Sequence, residues 1–322
     1  MSEKEIFQDA FGIKISEIKR TFLRTVLITK ANYSKTLKRT KNKILIGWDG
    51  DSYIYLKEKQ DTSLFISGTM SGYKQLIATL GSDAPAYLYE ILKNTIEFHR
   101  SSYESVQVKL ISDSILIWSK EMSAVHFWNV VNVVDLVRLS FFKKKLLLRG
   151  GIAEGLNFID QDIIISPALI KAYNLEREAE MPRILICEAA IAIATKEIAQ
   201  DTIGQPYIQL EGFARRIHLD QIKNDFDGKK VLRVFSESNG TFFIKTGLPI
   251  WFTPADAPIT EEQKVAMQSK GLSDLQSTRK LLQEMQPITT DVKIMNKYKY
   301  VIGKFNEWLS EFGDLGENLK IL

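Results

Sequence analysis

The sequence predicts an α+β fold: a ferredoxin-like βαββαβ sheet with helices on one face. Two observations carry this. Between residues 63 and 187, runs of period two and of helical period follow one another as strand, helix, hairpin, helix, strand, helix, strand. Turn signals at Gly81–Asp83 and Ser112–Ser114 separate these runs. A chain of 322 residues, 45% apolar and 25% charged, can bury a large core without staples.

Composition excludes several classes. The single cysteine, Cys187, rules out a disulfide framework and a Cys-based zinc site. His99, His126 and His218 are scattered, against a His-rich metal centre. A net charge of +4 does not by itself argue for nucleic acid, so a nucleic-acid partner is not expected. No apolar run reaches the roughly 18 residues of a membrane helix. The longest candidate, Ile184 to Ile198, is interrupted by Glu188 and reads as a strand followed by a short helix. The opening MSEKEIFQDAF is charged early, unlike a signal peptide, so a cytoplasmic chain without a membrane partner is expected.

The elements follow in order. Ile6, Phe11, Ile15, Ile18, Phe22 and Val26 are spaced like a helical stripe. Lys30 to Lys43 holds six basic residues and no acidic one, and reads as a solvated linker or helix end, or else as a phosphate-contacting patch. Lys43 to Glu58 reads as a hairpin about Asp49-Gly50-Asp51. Ser63 to Met70 is a buried strand, followed through Gly72 by helices over 73–80 and 84–100. SVQVKLISDSILIW (105–118) gives two strands, and 122–142 a helix with an apolar stripe. KLLLRGGIAEG (145–155) is a strand ending in glycines, and DIIIS (162–166) another. Pro167 opens a helix, MPRILIC is the last strand of the unit, and a turn falls at Asp225–Gly228. Two helices, 260–285 and 288–312, close the chain. The expected division is 1–62, a helix, basic linker and hairpin; 63–200, the catalytic unit; and 201–322, an extension with closing helices.

Three segments stand at strand ends: TMSGYK (69–74), the hairpin tip SDS with Asp113, and LLLRGGIAEG followed by SPALIKAYNLE. By these segments, their order and MPRILI, the chain resembles the class III nucleotide cyclases, and more closely the bacterial Pycsar pyrimidine cyclases of anti-phage defence. The resemblance covers nearly everything after about Leu64, including NKYKYVIGKFNEWL near the C-terminus. It implies that the 3′-hydroxyl of a nucleoside triphosphate attacks its own α-phosphorus and expels pyrophosphate, with Mg²⁺ or Mn²⁺ held by two carboxylates. It further implies a head-to-tail homodimer and, indirectly, an effector that responds to the cyclic nucleotide.

Carried over residue by residue, the resemblance makes Asp113 the hairpin carboxylate and Thr69 the first-strand metal position, where the family carries Asp. Asp113 read on its own could equally cap a tight turn. Gly72, with Tyr73 beside it, would let backbone approach a phosphate, or is a plain turn glycine. Lys109 would read the base edge, or is an exposed strand lysine. Arg149 would contact triphosphate, or cap the sheet through a salt bridge. The transition-state Asn and Arg of animal-type cyclases would fall near Ile170 and Asn174; neither matches, which argues against an ordinary adenylate or guanylate cyclase and leaves the pyrimidine type open. Two functions follow: an active cyclase, with UTP or CTP preferred, and a catalytically degenerate cyclase-like protein that binds a nucleotide or a partner. The second rests on Thr69.

Overall fold

The computed structural model describes residues 37–40, 43–48, 52–56, 61–71, 80–99, 105–111, 114–119, 121–159, 164–196, 198–200, 205–210, 213–217, 219–235, 238–252, 259–286 and 291–321. These fall into two compact units, one formed by residues 1–60 with 158–165, the other by 61–157 with 166–322. The apolar stripe of residues 6–26 and the helix expected over 73–80 lie outside the described residues.

In the smaller unit, β1 (Leu37–Thr40), β2 (Lys43–Trp48) and β3 (Ser52–Leu56) form an antiparallel sheet in that order. The hairpin read at Asp49–Asp51 is the β2–β3 connection, with Trp48 opposite Ser52. One expectation is corrected here. The second half of the basic segment is no linker: Leu37 to Thr40 pairs with Lys43 to Ile46. Lys38 and Arg39 sit on an edge strand, where charge discourages pairing with other chains.

The larger unit is built on β4 (Asp61–Ser71), α1 (Ala84–His99), β5 (Val106–Ile111), β6 (Ser114–Ser119), α2 (Ala124–Phe142) and β7 (Leu147–Ile159). Their spatial order is β7-β4-β6-β5, antiparallel throughout, which is the ferredoxin-like arrangement and confirms the α+β class. The glycines of β7 do not end it; the strand runs on to Ile159, because Gly150, Gly151 and Gly155 all pair with β4. Of the strand expected over 162–166, the described part is β8 (Ile164–Ile165), which pairs with Phe158 and Ile159; residues 162 and 163 lie outside the described residues.

Beyond β7 the sheet continues. After α3 (Pro167–Glu178), β9 (Ile184–Ile186) lies parallel to β7. α4 (Glu188–Ala194) follows, then β10 (Ala199–Gln200), β11 (Pro206–Leu210) and β12 (Phe213–Arg216). β13 (Ile222–Asn224) and β14 (Lys230–Leu232) extend the main sheet outward from β9, so MPRILIC is not its last strand. α5 (Asn239–Thr246) and β15 (Trp251–Phe252) come next; β15 joins β10, β11 and β12 in a second sheet. α6 (Glu261–Glu284) and α7 (Val292–Leu309) are the closing helices.

Side chains divide between the two faces of the main sheet by strand alternation. Ile115, Ile117, Leu148, Ile152, Ile184 and Ile186 form one core with α1 and α2. Leu185 and Val231 pack with Leu175 and Ala179 on the α3 side. Helices therefore cover both faces, not one. α2 also departs from its expected stripe: it is buried nearly all round, including Asn129, Asn132 and Asp135. The cause is its position between the sheet and α1, α4 and β11, with the Trp128 indole donating to the Ala194 carbonyl at 2.9 Å.

Candidate functional site

Strand register brings the candidate residues to one level of the sheet. Thr69 on β4 pairs with Ser114 on β6 and with Arg149 on β7. On the far side of β7, the Gly150 amide donates to the Arg183 carbonyl at 3.0 Å. Asp113, Gly72 and Tyr73 lie outside the described residues; Ser114, next in chain to Asp113, is the one opposite Thr69. Lys109 is exposed on the edge strand β5, two residues from Ile111, which pairs with Ser114.

Glycine sets the second layer. A Cβ on Gly151 would fall on the Ala172 carbonyl oxygen and 2.5 Å from Leu175 Cβ, so only glycine admits α3 at this distance. Ser166 caps α3, accepting from the Leu169 amide at 2.8 Å, and Pro167 occupies its first turn. The helix then presents Ala168, Ala172 and Glu176, four residues apart, as its buried row. Glu176 reaches Arg149, with Oε1 3.8 Å from Nε; its side chain is 2% exposed and that of Arg149 33%. A carboxylate this buried requires charge compensation, and the guanidinium supplies part of it. The salt-bridge reading of Arg149 is thus present in the structure, with its side chain one-third open.

The neighbouring position, Arg183, is the centre of a buried ion network. Its guanidinium donates to Asp225 at 2.6 Å and to Asp227 at 2.6 and 2.9 Å, and lies over the Phe226 ring. From α7, Tyr300 donates to Asp225 at 2.9 Å and Lys304 pairs with it at 2.9 Å. Burial would raise the Asp225 carboxyl, but hydrogen bonds from Lys304 and Arg183 outweigh it and hold it below the usual range. Arg183 holds Asp227 down to about 2. Burial and the Asp225 carboxylate push the Tyr300 phenol up. One turn before Tyr300, burial and then Arg149 push the Lys297 amine down, with Asp291 opposing.

The described part of this row does not fit a two-cation centre. Thr69 offers at most a neutral oxygen, Arg149 is a cation, and Glu176 faces Arg149. Among the described residues no group of three His, Cys, Asp or Glu converges. No chemical step is therefore routed through a metal pair below.

Sequence reasoning assigned Thr69 and Arg149 to strands but not to paired positions, and missed Glu176, Arg183 and Lys297 as neighbours. For Glu176 a signal existed: it continues the Ala168–Ala172 spacing onto a face otherwise apolar. For Arg183 and Lys297 none did, because their partners are distant in sequence.

No family model matches this chain, and no curated protein matches it. Solved structures do. The adenylyl cyclase CyaB from P. aeruginosa matches over 57% of this chain and 98% of its own, at 18% identity and TM-score 0.39. The guanylate cyclase domain of RhGC from Catenaria anguillulae, in complex with GTP, matches over 54% and 96%, at 13% identity and TM-score 0.36. An adenylate/guanylate cyclase/hydrolase from Silicibacter pomeroyi matches over 54% and 96%, at 16% and 0.35. The strand order and register carry the fold class by themselves.

Proposed function

We propose that the chain is a nucleotide cyclase that converts UTP or CTP to the 3′,5′-cyclic nucleotide and pyrophosphate, as the signal generator of an anti-phage defence system. The observation that supports it is the register Ser114–Thr69–Arg149 in a ferredoxin-like sheet. The two positions that the resemblance assigns to catalysis, Thr69 and the hairpin tip, thereby belong to adjacent strands. Residues 63–200 are the proposed catalytic part, 1–62 an N-terminal part and 201–322 the closing extension. The active form is proposed as a cytoplasmic homodimer acting on its effector through the product.

The reaction forms a bond from O3′ to the α-phosphorus and breaks the bond from that phosphorus to the bridging oxygen of pyrophosphate. The 3′-hydroxyl proton leaves with the attack, and pyrophosphate carries away the released negative charge. Arg149 is the residue for that charge: a planar guanidinium matches phosphate oxygens, and Glu176 fixes its direction. Lys109 is assigned to the base, and Gly72 with Tyr73 to the phosphate backbone contact. Asp113 is the proposed carboxylate for Mg²⁺ or Mn²⁺, which when bound would neutralise phosphate charge.

The second reading, a degenerate cyclase-like nucleotide-binding protein, is favoured by Thr69 standing where the family carries a carboxylate. Incubating the protein with each NTP and Mn²⁺ or Mg²⁺ separates the two. A cyclase yields cyclic product; a binding protein gives a nucleotide-dependent rise in melting temperature and no product.

A further inference from the structure

Between α2, the start of β7 and the closing helices, the larger unit holds a cavity with about 560 Å³ of free space, its mouth included. Ligand pockets commonly span about 300–1,000 Å³. Leu139 and Phe142 line it from α2, Leu147 and Leu148 from β7, and Val301 and Trp308 from α7. Leu139 is 44% exposed on a helix otherwise mostly buried, and so marks the mouth. Protein interiors are close-packed, and apolar space left empty costs stability. The aromatic wall is held back from filling it by its own packing. Phe235, also in the wall, stacks on Trp308 at 5.7 Å and meets Phe142 edge-on at 5.8 Å. Phe305 packs against Phe235 and Trp308 in turn, at 5.3 and 6.1 Å. From this cavity we infer a regulatory binding site for a small, uncharged, aromatic molecule. The regulation rests on the cyclase reading; the binding does not.

The lining sets the ligand's chemistry. Arg138 is the charged residue of the wall, and its guanidinium already donates to the Asp135 carboxylate at 2.7 Å and to the Arg233 carbonyl at 2.6 Å. An ionic ligand would therefore lose its hydration with no unpaired charge in the wall to replace it. Three aromatic rings favour a flat partner that can stack or meet their edges. The Trp308 indole N–H is buried without an acceptor among the described residues, so the wall also carries a donor for one ligand oxygen. Position gives the role. Leu148 and Leu147 pair with Met70 and Ser71, the two pairs next to Arg149 and Thr69. Pro182, in the same wall, precedes Arg183, whose carbonyl accepts from Gly150. A bound ligand thus bears on the residues next to Arg149 and Arg183. It shifts the candidate site by as much as its affinity differs between positions of these segments.

Prodan, an uncharged naphthyl ketone whose emission rises in apolar surroundings, tests the binding on the full chain. Wild type should bind it saturably and melt at a higher temperature in its presence. Leu139→Trp places a larger ring at the exposed mouth and should weaken binding about tenfold or more. Should it fail to fold, Thr278→Phe, filling the cavity from α6, serves the same comparison. Val265→Trp, at an exposed α6 position outside the cavity wall, should bind like wild type. Anilinonaphthalene sulfonate, of similar size but anionic, should bind at least about tenfold more weakly than prodan. No saturable binding by wild type, equal binding by wild type and a folded cavity-filled variant, or equal affinity for the sulfonate overturns the site. With an NTP that gives cyclic product, saturating prodan should change the rate about fivefold or more in wild type and leave Leu139→Trp unaffected. An unchanged wild-type rate overturns the regulatory role. Prodan binding that the filled variants lose, without cyclic product from any NTP, would sink the cyclase reading and leave the binding site standing.

Discussion

At the scale of single residues, Thr69 and Asp113 carry the sharpest consequences. Asp113→Ala should abolish cyclic-nucleotide formation while costing about 1 kcal/mol of stability or less, since a turn-tip Asp caps only locally. Product assay and thermal melt on the same preparation check it; equal activity in both proteins would remove Asp113 from the site. Thr69→Asp supplies the carboxylate that the proposed cyclase reading would place on this strand. It sets a negative charge opposite Ser114, the chain neighbour of Asp113, so repulsion should lower the melting temperature in chelator. Mn²⁺ should then raise it more in the variant than in wild type. Identical responses to Mn²⁺ would mean that Thr69 is not at a metal position. Of these residues, Thr69, Arg149 and Lys109 could be assigned to strands from the sequence because each sits inside a run of clear period. Their mutual register could not, since it depends on which strands become neighbours. Asp113, Gly72 and Tyr73 lie outside the described residues.

At the scale of elements, glycine in β7 and the ion network under α7 set the geometry. Gly151→Ala should push α3 off the strand, separating Glu176 from Arg149; expected is a fall of at least about 2 kcal/mol in stability, comparable to overpacking a core. A denaturant midpoint unchanged from wild type would show that α3 yields without cost. The ion network predicts a pH dependence. Arg183 holds Asp227 at about 2; burial opposes, but Lys223, Lys245 and Arg233 hold Glu311 at about 2. Both folded values lie below the ordinary ones, so the stabilisation is full above about pH 5 and is lost as pH falls toward about 2. Melting temperature should therefore drop steeply across that window, and less steeply in Arg183→Met, which has already lost the partner of Asp227. A flat profile in wild type would contradict the network. The strands and helices from β4 to β9 were legible because period two and period 3.6 alternate there. The stripe expected on α2 was not found because burial on all sides leaves no polar face, and β13 and β14 were missed because three-residue strands carry no period. The Arg183–Asp225–Lys304 network joins segments far apart in sequence, and nothing local announces it.

At the scale of the whole molecule, a ferredoxin-like sheet is enlarged by β9, β14 and β13 and covered on both faces, and the helix α7 is tied through Tyr300 and Lys304 to Asp225, between β13 and β14. Among the described residues no helix is long and apolar enough to cross a membrane. The central claim is that this arrangement cyclises a pyrimidine nucleotide. The most direct measurement is incubation of the pure protein, beside Asp113→Ala, with ATP, GTP, CTP and UTP separately in Mg²⁺ or Mn²⁺, followed by mass spectrometry of the products. The account predicts 3′,5′-cyclic UMP or CMP with an equal amount of pyrophosphate from wild type and none from the variant. No cyclic nucleotide from any of the four, or the same yield from both proteins, would contradict it.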